Sequence, residues 1–115
     1  MKYSIFGMLF SVLLSAQGAS ANGYYTGAEM LKICTDVSPF QAKSCGGYIA
    51  GVADTSAKAV AWETLTAVRC VPVEVTIKQL MKIAVKYMEE HPEELHLGAE
   101  SLIQNAFKEA FPCEK

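Results

Sequence analysis

The residues best suited to chemistry lie close together between positions 89 and 96, a stretch that contains both histidines of the chain and four glutamates. Imidazole and carboxylate groups can transfer protons or bind a metal ion. Two metal ligands on one helix face need i and i+4 spacing, as in H-E-x-x-H, whereas His91 and His96 lie at i and i+5 with Pro92 between them. No nucleophile, base and orienting group occur at a recognisable spacing. We therefore predict no catalytic residue, no metal site and no cofactor.

The four cysteines are a second group of potentially reactive side chains. They form no C-x-x-C redox pair, and no C-x-x-C is followed by the paired histidines of a zinc site. Their number is even, and all four lie after residues 1–21, which have the pattern of an export signal. This combination is typical of a disulfide framework. We therefore predict two disulfides and no free thiol.

A glycine-rich stretch between Cys45 and Asp54 invites comparison with phosphate-binding loops. Neither G-x-G-x-x-G nor G-x-x-x-x-G-K-[ST] is present, and no predicted strand precedes the glycines. Gly47 and Gly51 lie one helical turn apart, and each costs about 1 kcal/mol relative to Ala inside a helix. We therefore expect close backbone packing at these glycines, either within the bundle or at a dimer seam, and we expect Tyr48 and Asp54 to be hydrogen-bonded structural residues.

Composition excludes several classes of partner. The 115 residues contain 10 Lys+Arg and 12 Asp+Glu, which give a formal charge of -2. Such a chain has no basic stripe for phosphates, so nucleic-acid binding is not predicted. The 51% hydrophobic content argues against disorder.

The first 21 residues have the pattern of an export signal. A positive start precedes an apolar run over 5–14, and small residues occupy 19–21. The apolar run is shorter than the roughly 20 residues that a membrane helix needs. We expect cleavage after Ala21 and a mature domain, residues 22–115, without membrane attachment.

The mature chain carries helical signals throughout. Capping-box patterns begin at Thr26, Ser38 and Thr76, and they predict helices over about 27–35, from Pro39 to about 60, and from about 77 to His91 before Pro92. A fourth apolar stripe runs over 102–110. Only 70–75 resembles a strand, and its proline favours an extended connection instead. The prediction is an all-α, up-and-down bundle of about four helices.

This helix order selects one of the three possible disulfide pairings. If the helices alternate up and down, Cys34 and Cys45 share one end of the bundle, and Cys70 and Cys113 share the other. The second helix would be about 30 Å long. Bridged Cα atoms must lie within about 7 Å of each other. We therefore predict the pairs Cys34–Cys45 and Cys70–Cys113.

Several motifs also occur in order along the mature chain: C-x-G-Y-I-x-G-V-x-D over 45–54, Cys70-Val71-Pro72, Gln79-Leu80 with Tyr87 and His91-Pro92-Glu93, and Ala110-Phe111-Pro112-Cys113. Together they resemble the type VI amidase immunity family, the resistance-associated or Tai proteins. The resemblance covers nearly all of the mature chain. Gly98 departs from the family pattern, in which a Pro or Ser is expected near this point.

The resemblance implies a periplasmic homodimer that is not an enzyme. Such a protein binds and sterically blocks a peptidoglycan amidase delivered by a neighbouring cell, and a loop between the late helices is expected to enter the effector's cleft. The candidate effector-binding residues here are Glu90, His91, Glu93, Glu94 and His96.

Charge patterning is compatible with this loop assignment. Glu89 and Glu90 fall in the last turn of the third helix, where the macrodipole disfavours negative charge by about 0.3–1 kcal/mol each. An acidic tip that fits a basic groove would explain the cluster. An ordinary solvated loop is the alternative.

A second function remains open from the sequence. A periplasmic stress or chaperone-like helical protein, stapled by disulfides, would have a similar composition. The two functions differ in partner specificity, because an immunity protein binds one folded amidase whereas a chaperone binds many unfolded chains weakly.

Overall fold

The computed structural model describes residues 23–61 and 70–113. It contains four α-helices, α1 (Gly27–Thr35), α2 (Pro39–Ala61), α3 (Ile77–Glu90) and α4 (Ala99–Ala110), and a 3-10 turn, Pro92–Glu94, between α3 and α4. No strand occurs in the described ranges, which confirms the all-α class and the four helices. Within those same ranges, no helix is long and apolar enough to cross a bilayer. The predicted signal peptide, residues 1–21, lies outside the described residues.

Two of the predicted capping boxes are formed. At α1, the Thr26 hydroxyl accepts from the Glu29 N–H at 3.3 Å, and the Glu29 carboxylate accepts from the Thr26 N–H at 2.8 Å. At α3, Thr76 and Gln79 make the same exchange at 3.2 and 2.7 Å. Each pair satisfies amides that the helix itself leaves without partners. The hydrogen bond from the Thr26 backbone also lowers the pKa of Glu29.

The third predicted box, at the start of α2, forms only in part. The Gln41 N–H donates to the Ser38 hydroxyl at 3.2 Å, as predicted. The Ser38 N–H donates instead to the Asp36 carboxylate, at 2.7 Å. The Asp36 carboxylate lies two residues upstream and is charged, so it is a stronger acceptor than the neutral Gln41 amide.

All four helices contribute to one hydrophobic core. Its largest fully buried side chains are Met30, Ile49, Met88, Leu102, Ile103 and Phe107. In α3, the buried residues Leu80, Ala84 and Met88 recur every four positions, which places them on one face. The core therefore depends on the helical periodicity visible in the sequence.

Both predicted disulfides are present. Cys34 at the end of α1 is bonded to Cys45 in α2, and Cys70 is bonded to Cys113 after α4, each with a Cα–Cα distance of 5.0 Å. Cys45 is fully buried. The second bond fastens the extended segment 70–75 to the end of α4, and Val71 and Val75 of that segment pack against the core.

Candidate functional site

The predicted effector-binding residues from His91 onward lie in the connection between α3 and α4, residues 91–98, called here the α3–α4 loop. Helix α3 ends before Pro92, and His91 leaves the helical conformation with φ -123° and ψ 59°. The Glu94 N–H donates to the His91 carbonyl at 3.0 Å, and the Leu97 N–H donates to the Glu94 carbonyl at 2.9 Å. The loop is therefore a folded turn with its own hydrogen bonds.

Tyr87 of α3 connects this helix to the loop. Its hydroxyl donates to the Glu94 carboxylate at 3.0 Å. Burial of the ring and the hydrogen bond to Glu94 raise the pKa of Tyr87. The same ring packs against the His91 ring, with centroids 4.2 Å apart. Sequence reasoning did not assign Tyr87 to the site, because its contact with Glu94 depends on how the loop folds back against α3.

His91 and Glu93 form a second contact inside the loop. His91 Nδ1 lies 3.1 Å from the Glu93 carboxylate. This hydrogen bond is the main reason that the pKa of His91 is raised. The pKa of Glu93 is lowered, first by a hydrogen bond from its own backbone and then by His91. The two groups thus favour each other's charged form.

We predict a titration of His91 above its ordinary pKa of 6.5. Because the folded pKa is raised, the contribution of His91 to stability is fully present below the unfolded pKa and is lost as the pH rises through the folded pKa. Glu93 has the opposite dependence, so its contribution is lost as the pH falls through its lowered pKa. An NMR titration of the imidazole in wild type and Glu93→Gln measures this. The variant should titrate lower, and an unchanged midpoint would contradict the pairing.

The N-terminus of α1 holds the far end of the loop. The Gly27 N–H donates to the Leu97 carbonyl at 2.8 Å, and the Ala28 N–H donates to the Leu95 carbonyl at 3.0 Å. In return, the Ala99 N–H donates to the Tyr25 carbonyl at 2.9 Å. The loop carbonyls thereby satisfy amides at the start of α1 that have no partner within the helix.

Gly27 allows this close approach. A Cβ at this position would lie 2.3 Å from Leu102 Cδ1 and 3.3 Å from the Leu95 backbone. A glycine in the first turn of a predicted helix is unfavourable by itself, and that was the available signal for a packing role. The sequence alone could not identify the loop as its neighbour.

The five predicted effector-binding residues have different surroundings. Glu90, Glu93 and His96 are exposed, whereas His91 and Glu94 are half-buried against their neighbours. Glu90 also pairs with Lys86 one turn earlier, at 3.8 Å. Three of the five are directly linked to one another or to Tyr87, while Glu90 and His96 lie at the two sides of the turn.

One group within the described residues has the composition of a metal site. His91, Glu93 and Glu94 each place a ligand atom within 4.8 Å of the others. These atoms already have partners, because His91 bonds Glu93 and Glu94 accepts from Tyr87. We therefore keep the prediction, made from the sequence, that these residues do not form a metal site.

The glycine prediction in α2 requires a correction for packing within the bundle. Gly47 and Gly51 are exposed, and within the described part of the chain no other element comes within 4 Å of a Cβ built on either. The glycine that faces another helix is Gly46, whose Cβ would lie 3.4 Å from the Met81 sulfur of α3. A shift of one residue turns a helical position by about 100°, so Gly47 and Gly51 share a different face. Asp54 is also exposed.

Tyr48 has a definite structural contact. It is half-buried, and its ring meets the Tyr25 ring edge-on, with the ring centroids 5.7 Å apart. Burial raises the pKa of Tyr48. Gly98, the N-cap of α4, provides no side-chain cap. Tyr48 of α2 lies beside Glu100 in the first turn of α4.

Comparison with known proteins places this arrangement in a family. The family model of Rap1a immunity proteins matches residues 26–113. The match begins at the α1 cap and ends at Cys113, so it includes all four helices and both disulfides. No curated protein and no solved structure matches the chain. Since the matched range covers well over half of the sequence, the chain belongs to the Rap1a family of immunity proteins.

Proposed function

We propose that this protein is a periplasmic immunity protein that binds a peptidoglycan amidase effector of type VI secretion and blocks its active-site cleft. Membership of the immunity family supports the coarse role. The amidase target, the periplasmic location and a homodimeric state are finer parts of the proposal and rest on the motif resemblance and the predicted signal peptide.

The observation that carries the proposal is the prefolded α3–α4 loop. The loop has internal backbone hydrogen bonds. Its first half is bonded to Tyr87 through Glu94, and its second half is bonded to the backbone at the start of α1. A loop that is already ordered loses little conformational entropy when it enters a cleft, which favours tight binding. Inhibition then needs only steric occlusion, and we propose no catalytic step.

The exposed carboxylates of this region favour a partner with a basic surface. Glu89, Glu90 and Glu93 are exposed, and the Glu93 side chain is 66% accessible. A cleft rimmed by basic residues would attract this acidic edge during encounter. We expect association to slow as salt concentration rises, because exposed charges are screened.

We predict that the double charge reversal Glu90→Lys with Glu93→Lys weakens binding to the amidase by about 10- to 100-fold. Each reversal replaces an attraction across the interface with a like-charge contact, and most of the loss should appear in the association rate. Surface plasmon resonance with oxidised protein, residues 22–115, measures both rates, and a peptidoglycan cleavage assay measures inhibition. Helical content should not change.

A matched control separates local from global charge effects. Asp54→Lys with Glu74→Lys changes the net charge equally at exposed positions outside the loop and should retain affinity. Equal weakening by both pairs would show that net charge, rather than the loop, attracts the partner. Full affinity of the loop variant would exclude the acidic edge as the inhibitory element. Sedimentation equilibrium of the same material tests the homodimer.

A chaperone-like role is a second candidate because apolar side chains are exposed. Val37, Phe40 and Val73 are 100%, 76% and 97% accessible. A pull-down from periplasmic extract distinguishes the two functions. One folded amidase bound at fixed stoichiometry supports immunity, whereas many unfolded clients and unaffected amidases support the chaperone.

A further inference from the structure

We infer that Glu94 is a positioning residue: its carboxylate, held by Tyr87, sets the shape of the α3–α4 loop, while the exposed carboxylates Glu90 and Glu93 meet the partner. The binding part of this inference rests on the proposed function. Its structural part concerns the free protein and stands independently. The acidic residues of this region look like one charged patch in the sequence. In this inference they have two roles, because Glu94 shapes the loop and Glu90 and Glu93 contact the partner.

The contacts of Glu94 point inward. Its carboxylate accepts from the Tyr87 hydroxyl at 3.0 Å. This one hydrogen bond links α3 to the loop. Glu94 is half-buried, in contrast to the exposed Glu93 next to it.

The backbone of Glu94 continues this link toward α1. The Glu94 carbonyl accepts from the Leu97 N–H at 2.9 Å, and the Leu97 carbonyl accepts from the Gly27 N–H at 2.8 Å. Release of the Glu94 side chain would therefore free the first half of the loop while the α1 contacts still hold the second half. The hydrogen bond between the Tyr87 hydroxyl and the Glu94 carboxylate is called here the latch. The position of Glu93, one residue before Glu94, depends directly on it.

Two substitutions at Glu94 distinguish the effect of its hydrogen bond on the shape of the loop from the effect of its negative charge. Glu94→Gln removes the charge but keeps an amide oxygen that can accept from Tyr87. Glu94→Ala removes the acceptor, and Tyr87→Phe removes the donor. In the free protein, hydrogen exchange of the loop amides should become about five- to tenfold faster in Glu94→Ala and in Tyr87→Phe, which is the loss expected for one hydrogen bond of ordinary net strength. Glu94→Gln should stay within about twofold of wild type.

The double variant Tyr87→Phe with Glu94→Ala should exchange no faster than either single variant, because both remove the same bond. Thr76→Ala is the control for global destabilisation, since it removes the cap at the opposite end of α3. Tyr24→Phe is the control for the loss of a tyrosine hydroxyl, since Tyr24 is 89% exposed. Neither control should accelerate exchange selectively at the loop.

The binding experiment uses the amidase that the wild-type protein captures. Glu94→Gln should keep wild-type affinity within about twofold, and Glu94→Ala and Tyr87→Phe should weaken binding by similar factors, about five- to tenfold. If Glu94→Gln weakens binding as much as Glu94→Ala, the charge itself meets the partner and the positioning role is wrong. If loop exchange is unchanged in both bond-breaking variants, the latch does not exist. If no amidase binds wild type, the proposed function fails while the exchange data still decide the latch.

Discussion

Removal of the Cys70–Cys113 disulfide is expected to lower the free energy of unfolding by about 4 kcal/mol, the loss given by the chain-entropy model for a loop of this size. The bonded cysteines are 43 positions apart, so the bond restricts much of the unfolded mature chain. A small domain has a total stability of about 5–15 kcal/mol, so the loss would be a large fraction. The extended segment 70–75 should also detach from α4.

Urea denaturation of Cys70→Ala with Cys113→Ala measures this loss. The comparison is Cys34→Ala with Cys45→Ala, whose bond spans only 11 positions and should cost about 3 kcal/mol by chain entropy. Because Cys45 is fully buried, that pair also loses core packing. A loss below about 1 kcal/mol for the longer bond would contradict the entropic argument and indicate that packing alone holds Val71 and Val75 in place.

Gly27→Ala is expected to destabilise the fold by about 1–3 kcal/mol, although alanine is the better helix former. Its Cβ would lie 2.3 Å from Leu102 Cδ1, and Leu102 is fully buried, so its side chain would have to shift within the packed core. The Leu95 backbone, 3.3 Å away, would also have to move by a few tenths of an ångström. The loop should therefore shift together with the loss of stability.

Gly47→Ala provides the matched control for Gly27→Ala. Gly47 is also helical, but no described atom of another element lies within 4 Å of its Cβ position. This change should stabilise the protein by up to about 1 kcal/mol through helix propensity. Thermal unfolding with hydrogen exchange at the loop compares the two variants. Equal stabilisation by both would show that Gly27 is not required for the close approach of α1 and the loop.

The sequence by itself determined the features that depend on neighbouring residues. Thr26 with Glu29 and Thr76 with Gln79 marked two helix starts, and Pro92 marked the end of α3. These signals are reliable because a cap or a proline acts on the backbone within a few residues. The even cysteine count and the helix order also led to the correct disulfide pairs.

The tertiary structure alone decided which side chains meet across helices. It placed Gly46 rather than Gly47 against α3, and it placed Tyr48 beside Glu100 in the first turn of α4. It also separated Glu94, bonded to Tyr87, from the exposed Glu93. In the sequence these two glutamates are adjacent and chemically identical. Their difference arises because the loop after Pro92 folds back beside Tyr87 of α3, and the contacts with α1 that hold this loop join residues far apart in the chain.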